Sequence, residues 1–201
     1  MGSINKIAVL YGGSSSEREI SLQSGLGVHK AILELGFESE LIDYRNIKDL
    51  RELKNFDFVF NALHGFEGEG GKLQQNLDDL KILYSGSCPE ACKNTWNKKF
   101  TKEILVRNKI RTPVSLDITF SKQIVENGLQ ANSFDRFRPF EYIFLKPEED
   151  GSSVDIFKIS DNKTLEEAFQ KCTYPKRKFI FEEFIDGREF TVTIIDNECL
   201  P

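Results

Sequence analysis

The stretch of this chain with the most chemical content is EEDGSS, residues 148–153. An apolar run, EYIFLKP, precedes it and brings Lys146 close to the loop, and a later apolar run, FIFEEFIDGRE, ends in carboxylates. Backbone N–H groups and hydroxyls in such a loop bind phosphates, a lysine supplies a positive charge, and carboxylates hold an adenine amine and a ribose. This order predicts a nucleoside triphosphate site, although an exposed hairpin turn explains the loop alone equally well.

Two glycine-rich segments follow strand-like runs earlier in the chain. The first, YGGSSSE, precedes a helix, where anions often bind, but Glu17 and Glu19 would repel an anion and favour an ammonium group or simply the helix dipole. Taken alone, this turn is more often structural. The second, LHGFEGEGG, contains His64. A lone histidine is usually a hydrogen-bonded structural residue, but so many glycines at the end of a strand favour a functional loop.

Two clusters of charge complete the set. Lys98 and Lys102 lie four residues apart and share a helix face, for which a solvated basic surface is the simplest interpretation. Glu182 and Glu183 belong to an acidic cluster, which is usually a solvated edge. Because they end an apolar strand, a purely solvating role is less expected for them.

Composition limits the class of protein. The chain has 201 residues, enough for one large or two small domains, and its 39% hydrophobic and 29% charged residues are typical of a soluble globular protein. A net charge of -5 argues against nucleic-acid binding. The start lacks the apolar region of a signal peptide, and no apolar run approaches the ~18 residues of a membrane helix. Four irregularly spaced cysteines and two histidines predict reduced thiols in the cytoplasm and no zinc site.

The order of elements predicts an α/β domain first. Residues 7–11 are an apolar run suited to a buried strand. Ser14 with Glu17, and Ser16 with Glu19, match the capping-box spacing. The helix that follows should end at Gly36 and bury these residues: Ile20, Val28, Ala31, Ile32 and Leu35. Strands are predicted over 37–44 and 56–63, a helix over 71–81 and a short strand over 82–87. We expect an open parallel sheet with helices on both faces.

The rest of the chain predicts a smaller α+β lobe. One long helix should run from Pro89 to Lys109 and connect the two units. EYIFLKP and VDIFKI should form a hairpin around the Gly/Ser loop. Thr164 and Glu167 should cap a helix that ends near Cys172. FIFEEF and REFTVTII should be two strands joined by a turn at residues 185–187.

No single motif is decisive, but their order is informative. KIAVLYGGSSSEREISLQSG, NALHG, GKLQQNL, YSGS, NKKFTKEIL, LKPEEDGSSV and EEFIDGREFTV together resemble the N-terminal two-thirds of the D-alanine–D-alanine ligases of the ATP-grasp superfamily. The resemblance implies a Rossmann-like, pre-ATP-grasp domain over residues 1–90 that binds substrate. It implies an ATP-grasp central domain over 91–201, which includes the connector helix 89–109 and the start of a truncated C-terminal lobe.

The resemblance also implies an activity. ATP would be used to join two D-alanines for peptidoglycan, through an acyl phosphate on the first that the amine of the second attacks. Glu17 matches the acid that holds the first ammonium group, and His64 matches a histidine near that substrate's carboxylate. Ser152 matches a serine near the reacting groups. Members of the family are commonly cytoplasmic homodimers.

The remaining implied roles concern ATP. Lys98 and Lys146 match lysines on the phosphates, and Glu182 would meet the adenine amine. Glu183 and Ile185 would frame the ring with backbone groups, and Glu189 would hold the ribose. Mg²⁺ is expected as well, with its ligands in a C-terminal lobe that this chain lacks and none in the chain itself.

The chain departs from the family pattern in several places. Asn97 stands where aspartate is usual, Gly70 also where aspartate is usual, Glu148 where serine is usual, and Asp155 where glycine is usual. Because the expected magnesium-binding lobe is missing, we expect the chain alone to be inactive. Two alternatives remain: a catalytically silent fragment that binds nucleotide or amino acid, and an ATP-grasp ligase with a different second substrate.

Overall fold

A computed structural model describes residues 4–129, 132–137, 139–151, 153–196 and 198–200. Its first sheet has three parallel strands in the order β2-β1-β3. The strands are β1 Lys6–Tyr11, β2 Glu38–Asp43 and β3 Phe58–Asn61. The predicted open parallel sheet is confirmed, but the strand predicted over 82–87 is reduced to a single bridge between Val59 and Tyr84.

Both faces of this sheet are covered, as its buried pattern requires. Ile7 and Val9 pack on one face with helix α1, Arg18–Glu34. Ala8 and Leu10 pack on the other face, in a cluster that includes Leu73 and Leu77. These last two residues belong to helix α3, Lys72–Asp79, which follows the short helix α2, Phe66–Glu69. Alternate residues of one strand therefore hold helices on opposite faces.

The buried face of α1 was predicted correctly only in part: Ile32 is buried and Val28 packs against the same cluster. Ser21, Gly25 and Ile32 are its buried residues, whereas Ile20 and Leu35 are 52% and 74% exposed and Ala31 is also exposed. The helix lies so close to β1 that a Cβ at Gly25 would lie 2.4 Å from the Cβ of Tyr11. Small residues permit this approach, so a search for large apolar residues misses Ser21 and Gly25.

The two ends of α1 differ in how well they were predicted. Glu17 is the N-cap residue, with no capping hydrogen bond from its side chain, so neither predicted capping box forms. The backbone N–H of Ser14 donates to the Glu67 carboxylate instead, at 2.6 Å. The C-terminal end is confirmed: Gly36 has a φ of +86°, and the N–H of Phe37 reaches back to the carbonyl of Ile32.

The single connector helix is also incorrect. Two helices, α4 Pro89–Trp96 and α5 Lys98–Arg107, meet at Asn97, whose ψ of 109° breaks the helical path. The Asn97 side chain accepts the N–H of Phe100 and so caps α5, and its backbone forms a bridge with Glu149. A capping asparagine starts a new helix here, which an apolar periodicity does not show.

The second sheet has four antiparallel strands in the order β4-β7-β5-β6. Its strands are β4 Ser115–Thr119, β5 Ile143–Pro147, β6 Phe157–Ile159 and β7 Lys178–Glu183. Helices α6 Lys122–Asn127 and α7 Asn162–Lys171 accompany this sheet. The hairpin of β5 and β6 around the Gly/Ser loop is confirmed. Its core is rich in phenylalanine, including Phe120, Phe179 and Phe181.

Two further predictions for this lobe need correction. Asp161 is the N-cap of α7 and forms a capping box with Thr164, so Thr164 is the N3 residue of the box rather than its N-cap. REFTVTII forms no strand next to β7, which is already paired on both sides by β4 and β5. Only Ile194–Ile195, β8, pairs with Glu198–Cys199, β9.

The described part of the chain contains no helix long and apolar enough to cross a membrane. The first sheet ends at Asn61 and the second begins at Ser115. The boundary near residue 90 between two domains stays a prediction.

Candidate active site

The Gly/Ser loop between β5 and β6 is attached to the start of α5. The backbone N–H of Lys98 donates to the carbonyl of Glu148, and its Nζ donates to the carbonyl of Asp150, each at 2.8 Å. The break at Asn97 makes this possible, because it places the first turn of α5 against the loop. Lys98 was predicted near phosphates, and the structure places its ammonium group at this loop.

A buried carboxylate with two lysines lies beside the loop. Glu182 on β7 accepts from Lys146 on β5 and from Lys102 on α5, the latter at 2.5 Å. Lys102 also donates to the Thr112 hydroxyl at 2.9 Å. The side chains of Lys102 and Glu182 are only 11% and 12% exposed. The interpretation of Lys102 as part of a solvated surface is therefore wrong.

The register of the sheet explains why Glu182 and Lys146 meet. Glu182 on β7 lies opposite Phe144 on β5, and Lys146 follows Phe144 two residues later on β5. All three side chains therefore project from one face of the sheet, while Leu145 and Phe181 fill the core on the other. The Nζ of Lys146 also lies 5.1 Å from the centre of the Phe144 ring.

Burial and nearby charges both shift the pKa values of Lys98 and Glu182. Burial lowers the pKa of the Lys98 ammonium group, and the nearby Asp150 carboxylate opposes this shift without cancelling it. For Glu182, burial works to raise the pKa, but hydrogen bonds from Lys102 and Lys146 outweigh it and hold the pKa below its usual range. A partly desolvated ammonium group such as that of Lys98 gains from an anionic ligand.

Glu17 brings the first glycine-rich turn to the same place. One oxygen of its carboxylate lies 3.0 Å from the position that a Cβ would take at Gly65, and 3.8 Å from the corresponding position at Gly151. Gly65 follows His64, and Gly151 belongs to the Gly/Ser loop. Three glycine-rich segments that are distant in the sequence therefore converge around one carboxylate.

His64 is held by its surroundings. Its Nε2 lies 3.1 Å from the Ser24 hydroxyl on α1, and its Nδ1 lies 3.8 Å from a Glu69 oxygen. Its carbonyl accepts from the Ser15 hydroxyl at 3.0 Å. These contacts join the loop after β3 to the turn that carries Glu17, and the side chain remains 33% exposed.

An ion pair fixes the turn that precedes Glu17. Arg18 donates to both oxygens of Asp43 and to the carbonyl of Gly13, and the N–H of Gly13 donates to Asp43. The hydrogen bond from Arg18 lowers the pKa of Asp43 to about 2, against the opposing effect of burial. Gly12 and Gly13 have φ of +74° and +73°, a conformation that glycine adopts readily. Sequence reasoning did not identify Arg18 or Asp43.

The remaining predicted site residues are Glu183, Ile185, Glu189 and Ser152. Glu183 ends β7, and its backbone N–H donates to the carbonyl of Val114 at 2.9 Å. Ile185 is 61% exposed and Glu189 is exposed, both in the extended segment after β7. Ser152 lies outside the described residues. The roles assigned to these four residues stay predictions.

No group of three or more metal-ligating side chains comes together within the described ranges.

Known proteins with similar sequences or structures point to one family. A family model described as D-ala D-ala ligase C-terminus matches residues 118–200. A D-alanine–D-alanine ligase of Bordetella petrii is 36% identical over 196 residues, which is 96% of this chain and 57% of that protein. The corresponding ligase of Haemophilus ducreyi is 37% identical over 199 residues, which is 98% of this chain and 63% of that protein.

A solved structure points to the same family. The D-alanine–D-alanine ligase of Bacillus anthracis, in a crystal structure complexed with ATP, aligns with a TM-score of 0.81 and 28% identity, covering 99% of this chain and 65% of that one. The chain thus spans between 57% and 63% of the length of the two curated relatives.

A parallel sheet followed by an antiparallel lobe, with lysines around a Gly/Ser loop, defines an ATP-grasp protein. Within that superfamily, the sequence and fold of the chain are similar to part of the D-alanine–D-alanine ligases.

Proposed function

We propose that this chain carries the ATP site and the first D-alanine site of a D-alanine–D-alanine ligase. The observation that supports this most directly is the meeting of Glu17 and Lys98 at the Gly/Ser loop. Glu17 lies beside Gly151, and Lys98 donates to the carbonyl of Asp150, the residue before it. An acid suited to an ammonium group and a lysine suited to a phosphate therefore lie on either side of one short loop.

This arrangement suits the transfer of a phosphoryl group to an amino acid. The carboxylate of the first D-alanine would attack the γ-phosphorus of ATP, and the bond to the bridging oxygen would break to release ADP. The amine of the second D-alanine would then attack the acyl carbon, lose a proton and expel phosphate, which leaves the dipeptide. Positioning and charge stabilisation are the protein's main contributions to such a reaction.

The residues have distinct tasks in this scheme. Glu17 would hold the ammonium group of the first D-alanine, so that its carboxylate points to the loop. His64, fixed by Ser24, would lie near that carboxylate. Lys98 and Lys146 would contact the phosphates, where a positive charge stabilises the transferring group.

The nucleotide would also change the contacts of Glu182. In this structure it accepts from two lysines, and an adenine amine would be a third donor at its carboxylate. Glu183 and Ile185 would contact the ring through their backbones, Glu189 the ribose, and Ser152 the phosphates. Lys102, to which the sequence gave no role in binding, would keep Glu182 ionised in place.

Binding of ATP is the first test, and the chain offers a matched control. Lys98→Met should weaken ATP binding in titration calorimetry by at least about tenfold, the factor for one hydrogen bond to a charged group. Lys99→Met, the next residue on α5, should not, because its ammonium group lies 3.1 Å from Asp117 instead. Equal affinities for both variants and the unchanged chain would contradict the proposed phosphate site.

The amino acid requires a separate test. Glu17→Gln should abolish D-alanine binding, while Glu19→Gln, an exposed acid on the same turn, should leave it unchanged. ADP release that depends on D-alanine would support a ligase, and a hydroxy acid or another amine in place of the second D-alanine would show a different second substrate. Binding of ATP and D-alanine without turnover would favour the silent binding fragment.

Two expectations from the family complete the proposal. A homodimer would be seen as twice the chain mass in analytical ultracentrifugation. The use of ATP would place the reaction in the cytoplasm.

A further inference from the structure

The Gly/Ser loop contains an unusual number of acids for a segment that should accept phosphates. Glu148, Glu149, Asp150 and Asp155 all lie between β5 and β6. Carboxylates close to a phosphate oppose its binding, unless a partner neutralises them or turns them away. The contacts of these four side chains therefore decide whether the loop can bind a nucleotide.

Two of the acids are turned towards a neutral donor. The Asn97 amide nitrogen donates to Glu148 and to Glu149, at 2.9 Å in each case. Glu148 is only 5% exposed. These contacts orient the two carboxylates towards α5 but add no positive charge.

The other two acids share one arginine. Arg177, in the turn between α7 and β7, donates from Nη1 to Asp150 and from Nη2 to Asp155, at 2.7 Å in each case. Its guanidinium carbon lies 5.4 Å from the Tyr174 ring centre and 5.5 Å from that of Phe179. A planar group with two outward donors can bridge two carboxylates in this way, which a lysine cannot.

The backbone of the loop depends on this bridge. Asp150, Ser153 and Asp155 have φ of +151°, +59° and +53°, values that side chains other than glycine rarely adopt without support. Arg177 holds the first and last of these three residues. Asp155 is also fixed by the N–H of Thr173 at 3.0 Å, and its side chain is 4% exposed.

We propose that Arg177 is a positioning residue for the nucleotide: by bridging Asp150 and Asp155 it neutralises both carboxylates and holds the loop open to phosphate. The inference rests on the proposed ATP site. Arg177 does not need to touch ATP for this role. Burial works to raise the pKa of Asp155, but hydrogen bonds from Thr173 and Arg177 outweigh it and keep the pKa below its usual range.

The first experiment measures ATP binding to the whole chain. Arg177→Gln should weaken ATP binding by about tenfold or more, because two carboxylates of the loop lose their counter-charge and repel the phosphates. Arg177→Lys should recover only part of the affinity, because one ammonium group cannot span both acids. Arg107→Gln is the control, since Arg107 is 77% exposed and pairs only weakly with Glu103 on its own helix. Unchanged affinity in a folded Arg177→Gln variant would overturn the proposal.

A second variant separates this role from direct contact with ATP. Adding Asp150→Asn and Asp155→Asn to Arg177→Gln removes the two charges that Arg177 is proposed to neutralise. We expect this triple variant to bind ATP several-fold more tightly than Arg177→Gln alone. It also avoids leaving a buried carboxylate unpaired, so it should fold. A triple variant as weak as Arg177→Gln would refute the neutralising role.

Hydrogen exchange without nucleotide gives a readout that does not depend on ATP. The N–H of Val154 donates to the carbonyl of Gly151 within the loop, and its exchange should speed up in Arg177→Gln but not in Arg107→Gln. An unmodified chain that fails to bind ATP would refute the proposed function itself. Unchanged exchange and affinity in Arg177→Gln, in a chain that does bind ATP, would refute only the role of Arg177.

Discussion

Lys102 offers the sharpest test of how the buried charges contribute to stability. The change is Lys102→Met, which keeps most of the aliphatic stem and removes the ammonium group. It deletes the hydrogen bonds to Glu182 and Thr112. Glu182 keeps Lys146 as a partner, so its carboxylate is not left entirely alone.

The size of the effect follows from burial. Removing one partner from a fully buried ion pair costs about 3–5 kcal/mol. Because Glu182 retains one lysine and its side chain is 12% exposed, we expect a smaller loss of about 2 kcal/mol in the free energy of unfolding, close to the value of one hydrogen bond to a charged group. The pKa of Glu182 should rise towards its usual range, since one of the two donors that lower it is gone.

Urea denaturation followed by circular dichroism measures this loss. Lys99→Met is the matched control, because it makes the same substitution three residues away on α5 and breaks a pair with side chains 37% and 43% exposed. Exposed pairs contribute little. If the two variants lose the same stability, the buried position of Lys102 has no special energetic value and the reasoning fails.

Two other predictions concern the first sheet. Gly25→Ala should destabilise the fold by about 1–3 kcal/mol, because its Cβ would lie 2.4 Å from that of Tyr11. Gly27→Ala, with nothing within 4 Å of its Cβ, should stabilise the helix by about 0.5–1 kcal/mol. Urea denaturation measures both changes, and midpoints that shift in the same direction in the two variants would contradict this reasoning. The Asp43 carboxyl, with a pKa lowered from 3.8 to about 2, stabilises the fold fully above its unfolded value, and this contribution is lost as pH falls from about 4 to about 2. Asp43→Asn should lack that loss, as acid titrations of both proteins would show.

Most of the strands could be predicted because their signals are local. The runs at β1, β5 and β7 are apolar over several consecutive residues, and all three strands form close to the predicted positions. The close packing of α1 through Gly25 and the break at Asn97 could not be predicted in this way. Both depend on close approach to another element, namely β1 at Gly25 and the Gly/Ser loop at Asn97.

The residues of the candidate site also fall into those that the sequence could predict and those that it could not. The family resemblance pointed to Lys98, Lys146 and Glu182, and the structure brings the first to the Gly/Ser loop and joins the other two to each other. Lys102 and Arg177 were missed, because their partners are distant in the sequence. The spacing of four between Lys98 and Lys102 was visible, but only the fold shows that this face meets a buried carboxylate. No local pattern marks Arg177.

Two departures from the family pattern, Asn97 and Asp155, are each explained by a side-chain contact in the structure. An aspartate at position 97, the usual residue, would place a third carboxylate against Glu148 and Glu149, whereas Asn97 donates to both. Asp155, where glycine is usual, has a positive φ and adds a negative charge, but Arg177 donates a hydrogen bond to its carboxylate. The two added acids, Glu148 and Asp155, therefore each accept a hydrogen bond from a donor side chain. The substitutions that raise the negative charge of the loop are thus compatible with nucleotide binding, provided that both partners are present together.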